Sequence, residues 1–164
     1  MSQVAVITDP LAMSAWAEET RRSGQRIAFV PTMGALHQGH LSLIRRSCTD
    51  CDRTVVSVFV NPTQFGPNED LATYPRDLPH DLELLRAADV DLVWAPPVSE
   101  MYPPGFQTYV TVEEVTRVLE GAARPVHFRG MATVVAKLFL VCQPDRAYFG
   151  QKDAQQVVVV QQMV

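Results

Sequence analysis

Short apolar segments alternate along the chain with longer amphipathic ones. Asp9 and Pro10 mark a helix start and Gly24 a helix stop, so the residues between them predict a first helix. The apolar segments that predict strands are 26–30, 54–60, 90–95 and 146–149. The second of these is apolar on both faces, which is typical of strands in a parallel sheet covered by helices.

Helical patterns lie between and after these strands. They span 40–50, 79–88, 112–120 and 130–141, and a last one surrounds the valines at 157–160, where strand propensity competes with glutamines at helical spacing. In 79–88 the leucines share one side, with Asp81, Glu83 and Arg86 on the other, and the proline-rich 96–105 predicts a loop. The alternation predicts an α/β fold with a Rossmann-like, doubly wound parallel sheet, in one domain over residues 1–164.

Composition and charge narrow the class of protein. The 164 residues are 47% hydrophobic and 20% charged, which excludes a disordered, collagen-like or coiled-coil chain. The net charge of -4 disfavours nucleic acid as a partner, and no apolar stretch approaches the roughly 20 residues that span a bilayer. Three cysteines without a secretory signal pattern favour a reducing compartment, so we expect a cytoplasmic protein.

Polar segments that contain glycine follow three of the predicted strands, at 31–40, 61–66 and 150–156. Because ligands bind beyond the carboxyl ends of parallel strands, one cleft is expected to gather these segments. In the first segment, Gly34 and Gly39 allow close backbone approach, and the helix starting near His40 directs unpaired N–H groups at the same space. His37 and His40 could then donate hydrogen bonds to phosphate oxygens.

Several of these residues have other interpretations. The two histidines could instead cap the helix or hold zinc, although the sequence shows no cluster of further ligands beside them. Cys48 and Cys51 form a C-x-x-C pair that could be redox-active or bind metal. Asp77, His80 and Asp81 could approach magnesium or simply begin a solvated helix. The sequence has neither the P-loop nor the G-x-G-x-x-G pattern.

Five runs of residues resemble one family. A strand followed by PTMG at 31–34 and HQGH at 37–40 resembles the H-x-G-H nucleotidyltransferases. The runs at 59–65, 74–76, 127–130 and 148–156 are similar to one member family, the pantothenate synthetases or pantoate–β-alanine ligases. The resemblance extends from residue 26 to the end of the chain. It departs at Thr63, where the family more often has methionine, and these 164 residues lack the family's Lys- and Ser-containing loop and smaller C-terminal domain.

The resemblance implies a two-step, ATP-dependent reaction. Pantoate attacks the α-phosphorus of ATP to give pantoyl adenylate and pyrophosphate, and β-alanine then displaces AMP to give pantothenate. The resemblance further implies that the ATP phosphates carry Mg²⁺, assigns no residue as a metal ligand, and suggests a homodimer. This chain would be the nucleotide-binding domain, incomplete at its C-terminal end. The alternatives are another H-x-G-H nucleotidyltransferase, or a module that binds or dimerises without turnover.

The resemblance also assigns residues to ligands. The implied catalytic residues are His37, His40 and Lys152. The implied ATP-binding residues are Pro31, Thr32, Met33, Gly34, His37, Gly39, His40, Gly150, Lys152 and Asp153. The implied pantoate-binding residues are Met33, Gln64, Val134, Val135, Phe149 and Gln156, and Gln64 is also implied to bind β-alanine. His127 and Arg129 would serve β-alanine or phosphate, or anchor a loop.

Overall fold

One parallel sheet organises the residues that the computed structural model describes, 4–67, 69 and 71–164. Within them, the strands are β1 (Ala5–Ile7), β2 (Ile27–Thr32), β3 (Arg53–Val58), β4 (Leu92–Trp94) and β5 (Arg146–Ala147), in the spatial order β1-β4-β3-β2-β5. The helices are α1 (Pro10–Arg22), α2 (Gln38–Asp50), α3 (Leu78–Ala87), α4 (Val98–Met101), α5 (Glu120–Ala123), α6 (His127–Cys142) and α7 (Ala154–Met163). Short 3-10 turns occupy Pro62–Gln64 and Gln151–Asp153. The predicted fold class is confirmed.

The sheet separates two hydrophobic clusters. Phe29 of β2 faces the cluster formed with α1, α6 and α7, whereas Val30 faces the cluster formed with α2 and α3. Val55 and Val56 of β3 divide between the two clusters in the same way. The central strands are therefore buried on both faces, which explains their continuous apolar sequences.

One predicted strand requires correction, and one observed strand was not predicted. The first predicted strand, 26–30, stops too early, because β2 continues to Thr32 and Pro31 lies opposite Ser57 of β3. Among the described residues, β5 pairs with β2 only at Ala28 and Phe29, so no strand on that side of Pro31 requires the N–H group that proline lacks. The short edge strand β1 has no counterpart among the predicted elements, since three residues carry little periodicity.

The predicted helix at 112–120 does not form. Gln155 of α7 donates its side-chain amide to the carbonyls of Val115 and Val118, and the Thr116 hydroxyl donates to the carbonyl of Val112. Side chains therefore satisfy acceptors that a helix would have given to its own N–H groups. The loop predicted at 96–105 is also interrupted, by the single turn of α4. The helix around 157–160 is confirmed as α7.

The order of strands reverses between β2 and β5. From β2 the chain steps outward to β3 and β4, and then returns to place β5 on the opposite side of β2. In doubly wound sheets the ligand crevice lies at this reversal, beyond the carboxyl ends of the two strands. None of the helices in the described part of the chain has the length and apolar character to cross a membrane.

Candidate functional site

A cleft of about 650 Å³ opens at the carboxyl ends of β2 and β5. Almost all of the predicted site residues line it: Pro31, Thr32, Met33, His37, Gly39, His40, Gln64, Val134, Val135, Phe149, Gly150, Lys152, Asp153 and Gln156. Gly34 is the exception, because it lines a neighbouring cavity of about 280 Å³ behind the turn. The tertiary fold thus brings the three polar segments into one space, as the sequence predicted.

The turn after β2 is held from behind by a buried carboxylate. Gly34 and Ala35 both have positive φ angles, 80° and 50°. The side chain of Asp81, only 1% exposed, accepts hydrogen bonds from the N–H groups of Ala35 (3.0 Å) and Leu36 (2.8 Å). A Cβ atom at Gly34 would lie 2.9 Å from an Asp81 oxygen, so glycine leaves the space that this carboxylate occupies. The prediction that Asp81 lies on the polar side of a solvated helix is wrong, because backbone donors of the turn draw it inward.

The two histidines cap α2 with their Nδ1 atoms. His37 Nδ1 accepts from Gly39 N at 3.0 Å, and His40 Nδ1 accepts from His37 N at 3.4 Å. A neutral imidazole that accepts at Nδ1 carries its proton on Nε2, so both rings keep an Nε2–H donor. The capping interpretation and the phosphate-binding interpretation are therefore compatible. The ring centroids lie 4.1 Å apart, and a Cβ at Gly39 would lie 2.8 Å from His37 Cε1.

The surroundings of His40 favour its neutral form. Burial lowers the pKa of His40 below 6.5, and the adjacent His37 lowers it further. Lys152 acts in the same direction, whereas the carboxylates of Asp81 and Asp153 raise the pKa and are outweighed. Lys152 and Asp153 lie exposed in the 3-10 turn that follows β5 and line the same cleft as the two histidines.

Gln64 is held in place by a buried amide network. Asn61 donates to Gln64 Oε1 and to the carbonyl of Gly130, both at 3.0 Å, and its own oxygen accepts from the Tyr102 hydroxyl at 2.8 Å. The NH₂ group of Gln64 donates to Met33 Sδ at 3.2 Å. This network orients the Gln64 amide along the cleft wall, where the NH₂ group faces a weak sulfur acceptor that a better acceptor can replace.

Helix α6 supplies the apolar side of the cleft. Met131, Val134, Val135 and Leu138 all line it, at the spacing that places residues on one helix face. Only the two valines were predicted to be site residues, although the periodicity points to all four. Other lining residues without a predicted role are Ser42, Leu43, Phe59, Asn61, Tyr74, Tyr148 and Gln151. Of these, Asn61 carries a positional signal, since it comes directly after the predicted strand 54–60.

Several residues that the sequence offered as metal ligands or redox groups have structural roles instead. Within the described residues, no group of three or more His, Cys, Asp or Glu side chains is placed to hold a metal ion. Asp77 caps α3 by accepting from His80 N at 3.1 Å. Cys51 ends α2, and burial raises the pKa of its thiol, which disfavours the reactive thiolate.

His127 and Arg129 lie outside the residues that line the cleft. His127 is buried, and its Nδ1 lies 3.2 Å from the carbonyl oxygen of Gln64. Burial, together with Arg124, lowers the pKa of His127. The Arg129 guanidinium lies 3.8 Å from the ring centre of Tyr109, so it stacks on an aromatic face. In the described structure, these contacts favour the loop-anchor interpretation for both residues.

A parallel sheet with its cleft at the strand reversal, next to a histidine-capped helix start, defines a Rossmann-like α/β protein of the H-x-G-H type. The family model described as pantoate-beta-alanine ligase matches residues 5–164. The chain therefore belongs to the pantoate–β-alanine ligase family.

Individual relatives agree with this assignment. Pantothenate synthetase of Herpetosiphon aurantiacus is 64% identical over 144 residues, which are 88% of this chain and 52% of that protein. The protein of the same name from Geobacter sulfurreducens is 58% identical over 159 residues, 96% of this chain and 56% of the relative. The chain spans about half the length of these curated relatives.

Solved structures show the same fold. The crystal structure of pantothenate synthetase from Thermus thermophilus superposes with a TM-score of 0.92 at 52% identity, over 98% of this chain and 57% of that one. Pantoate-beta-alanine ligase from Francisella tularensis, complexed with beta-gamma ATP and beta-alanine, has a TM-score of 0.92 at 40% identity, over 98% of this chain and 62% of that one.

Proposed function

We propose that this chain is the nucleotide- and pantoate-binding part of an enzyme that condenses (R)-pantoate with β-alanine in an ATP-dependent reaction. One observation carries the proposal: a single cleft holds cationic and imidazole donors, two glutamine amides and an apolar wall. Its volume of about 650 Å³ is in the ordinary range for small-molecule sites. The Francisella tularensis relative, described in complex with beta-gamma ATP and beta-alanine, supports the same ligand classes here.

The ATP subsite lies between the start of α2 and the turn after β5. His37 and His40 direct Nε2–H donors at phosphate oxygens. The N-terminal N–H groups of α2 add positive electrostatic potential at the same place. Lys152 offsets phosphate charge, whereas Gly150 and Asp153 contact the ribose, with Asp153 accepting from its hydroxyls. The backbone at 31–34 contacts the adenosine side.

The pantoate subsite lies deeper, against α6. Pantoate combines two hydroxyls and a carboxylate with a gem-dimethyl centre, so it requires both amide groups and apolar surface. Gln64 and Gln156 supply the amides, and Val134, Val135 and Phe149 supply apolar surface. Gln64 also binds β-alanine when the second substrate arrives.

The reaction is an acyl activation followed by an acyl transfer. A pantoate carboxylate oxygen attacks the α-phosphorus and the bond to pyrophosphate breaks, which leaves pantoyl adenylate. The β-alanine amine then attacks the pantoyl carbonyl carbon, AMP leaves, and the amine gives up a proton. His37, His40 and Lys152 neutralise charge that develops on the phosphates, which is the main requirement of phosphoryl chemistry.

Magnesium enters with the nucleotide. Asp153 is the single acidic side chain among the described residues that line the cleft, and such a site suits Mg²⁺ held mainly by phosphates and water. When bound, Mg²⁺ supplies further neutralisation of phosphate charge. We also propose that the protein acts in the cytoplasm as a homodimer without a membrane partner. Its net charge of -4 supports the further proposal that nucleic acid is not a partner.

Calorimetric titration of this chain with MgATP and with pantoate tests the proposal. We expect both ligands to bind, and Gln64→Ala to abolish pantoate binding while MgATP binding remains. Gln162→Ala, in the exposed end of α7, is the matched control and should bind both ligands normally. If the folded chain binds neither ligand, the site assignment is wrong.

A single-turnover assay for pantoyl adenylate tests how much chemistry this chain performs. The assay also tests the alternative of a module that binds its ligands without turnover. Adenylate formed by the chain would establish that the described cleft is sufficient for the first step. Binding without adenylate would assign turnover to the whole protein, and binding of a phosphate-ester substrate in place of pantoate would favour another H-x-G-H nucleotidyltransferase.

A further inference from the structure

A carboxylate outside the cleft controls the backbone that forms it. Asp81 lies in α3, 45 residues beyond the turn that it contacts, and is almost completely buried. Its two oxygens each accept one backbone N–H, from Ala35 and from Leu36. The two residues that donate to Asp81 come directly before His37, the N-cap residue of α2.

The turn requires these hydrogen bonds because its backbone conformation is energetically unfavourable. Two consecutive residues have positive φ, and one of them is an alanine, for which this conformation is strained. Thr32 assists from the cleft side, since its hydroxyl accepts from Gly34 N at 3.2 Å and donates to the carbonyl of Ser57. The hydroxyl and the carboxylate together take the N–H groups of all three residues between Met33 and His37.

We propose that Asp81 is a positioning residue for the nucleotide subsite: its carboxylate holds residues 34–36 in the conformation that directs His37 and His40 into the cleft. The inference rests on the proposed ATP function. Gly34 is part of the same arrangement, because a Cβ atom at this position would lie too close to the Asp81 oxygen. This explains why Gly34 matters to the ATP subsite although it does not line the cleft.

Asp81→Asn is the sharpest test, because it keeps the shape and replaces one acceptor with an NH₂ group facing an N–H donor. We expect MgATP affinity to fall by about tenfold or more, as for loss of a hydrogen bond to a charged group. Leu85→Ala in the same helix is the control for mere destabilisation, since Leu85 is fully buried in the cluster between α2, α3 and the sheet and does not line the cleft. It should bind MgATP within about twofold of the unchanged chain.

Nuclear magnetic resonance provides a readout that general destabilisation does not move. In Asp81→Asn the amide proton resonances of Ala35 and Leu36 should shift upfield, because their bonds to a charged acceptor weaken. The pKa of His40 should fall, since Asp81 and Asp153 raise it while burial, His37 and Lys152 lower it. Asp81→Glu, which keeps the charge but displaces the oxygens, should restore the His40 pKa more than the affinity.

The outcomes separate this inference from the proposed function. Unchanged MgATP affinity in Asp81→Asn, or an equal loss in Leu85→Ala, overturns the role of Asp81. If Asp81→Asn does not fold, Asp81→Glu answers the same question, because displaced oxygens must weaken MgATP binding if the grip positions the histidines. If the unchanged chain binds no MgATP, the proposed function fails, and unaltered Ala35 and Leu36 amide resonances in the variant would separately refute the grip.

Discussion

Gly39→Ala should separate ligand binding from folding. Gly39 lies in the first turn of α2 and has no positive φ, so alanine can adopt its backbone conformation. The added Cβ would lie 2.8 Å from His37 Cε1 and 3.0 Å from His37 Nδ1. Since carbon atoms pack at about 3.5 Å or more, the imidazole must move by about 0.7 Å or rotate away.

The expected effects on stability and on binding differ in size. Loss of the cap bond from Gly39 N to His37 Nδ1 costs about 0.5–2 kcal/mol, and the better helix propensity of alanine returns about 1 kcal/mol. The free energy of unfolding should therefore change by no more than about 1 kcal/mol. A displaced phosphate donor should cost about 1.5–3 kcal/mol in MgATP binding, or about 10- to 150-fold in Kd.

Urea unfolding and calorimetry with MgATP measure the two quantities on the same preparation. Gly66→Ala is the matched control, because a Cβ there meets nothing closer than a flexible Glu69 oxygen at 3.8 Å. Unchanged MgATP affinity in Gly39→Ala would refute the reasoning that the His37 ring position determines phosphate binding. A loss of affinity accompanied by unfolding would refute the predicted separation.

Three further expectations concern the wall of the cleft and its titrating groups. Gly130→Ala places a Cβ 2.3 Å from the carbonyl oxygen of Thr63, so it should destabilise by about 1–3 kcal/mol in urea and weaken pantoate binding; normal stability would contradict the close packing. Asn61→Ala leaves buried partners unsatisfied and should cost about 1–3 kcal/mol in urea unfolding, and Asn61→Asp should cost at least as much, because it turns a buried carboxylate oxygen toward Gln64 Oε1 and the Gly130 carbonyl oxygen. Because burial lowers the pKa of His40 and His127, their contribution to stability is complete above pH 6.5 and is lost as the pH falls through the lower folded-state pKa values. Melting temperatures between about pH 7.5 and 5 should show this loss, and His127→Gln should reduce it.

Helices and strands with a periodic pattern of apolar residues were predictable from the sequence. Segments whose backbone conformation depends on side chains from distant parts of the chain were not. The composition of segment 54–60 indicated a doubly buried strand, and Asp9 with Pro10 indicated the start of α1. The helix expected at 112–120 failed because Gln155, far along the chain, takes its carbonyl groups. The local sequence of 112–120 contains no sign that a distant side chain will donate to these carbonyl groups.

The candidate site divides in the same way. The three polar segments that follow strands were predicted to meet in one cleft, and residues from all three line it, because the topology of a doubly wound sheet brings those strand ends together. The sequence could not show that His37 and His40 serve as helix caps and donors at once, since that depends on the Nδ1 contacts.

The sequence by itself determined the fold class, the family resemblance and which segments meet, because periodicity, turn residues and motif spacing are local properties. The tertiary structure alone decided the position of Asp81. Helical periodicity placed this carboxylate on a polar face, and burying an unpartnered carboxylate is costly. The backbone N–H groups of a left-handed turn, from another part of the chain, pair with the carboxylate and make its burial favourable. Only the tertiary packing of α3 brings Asp81 and this turn together.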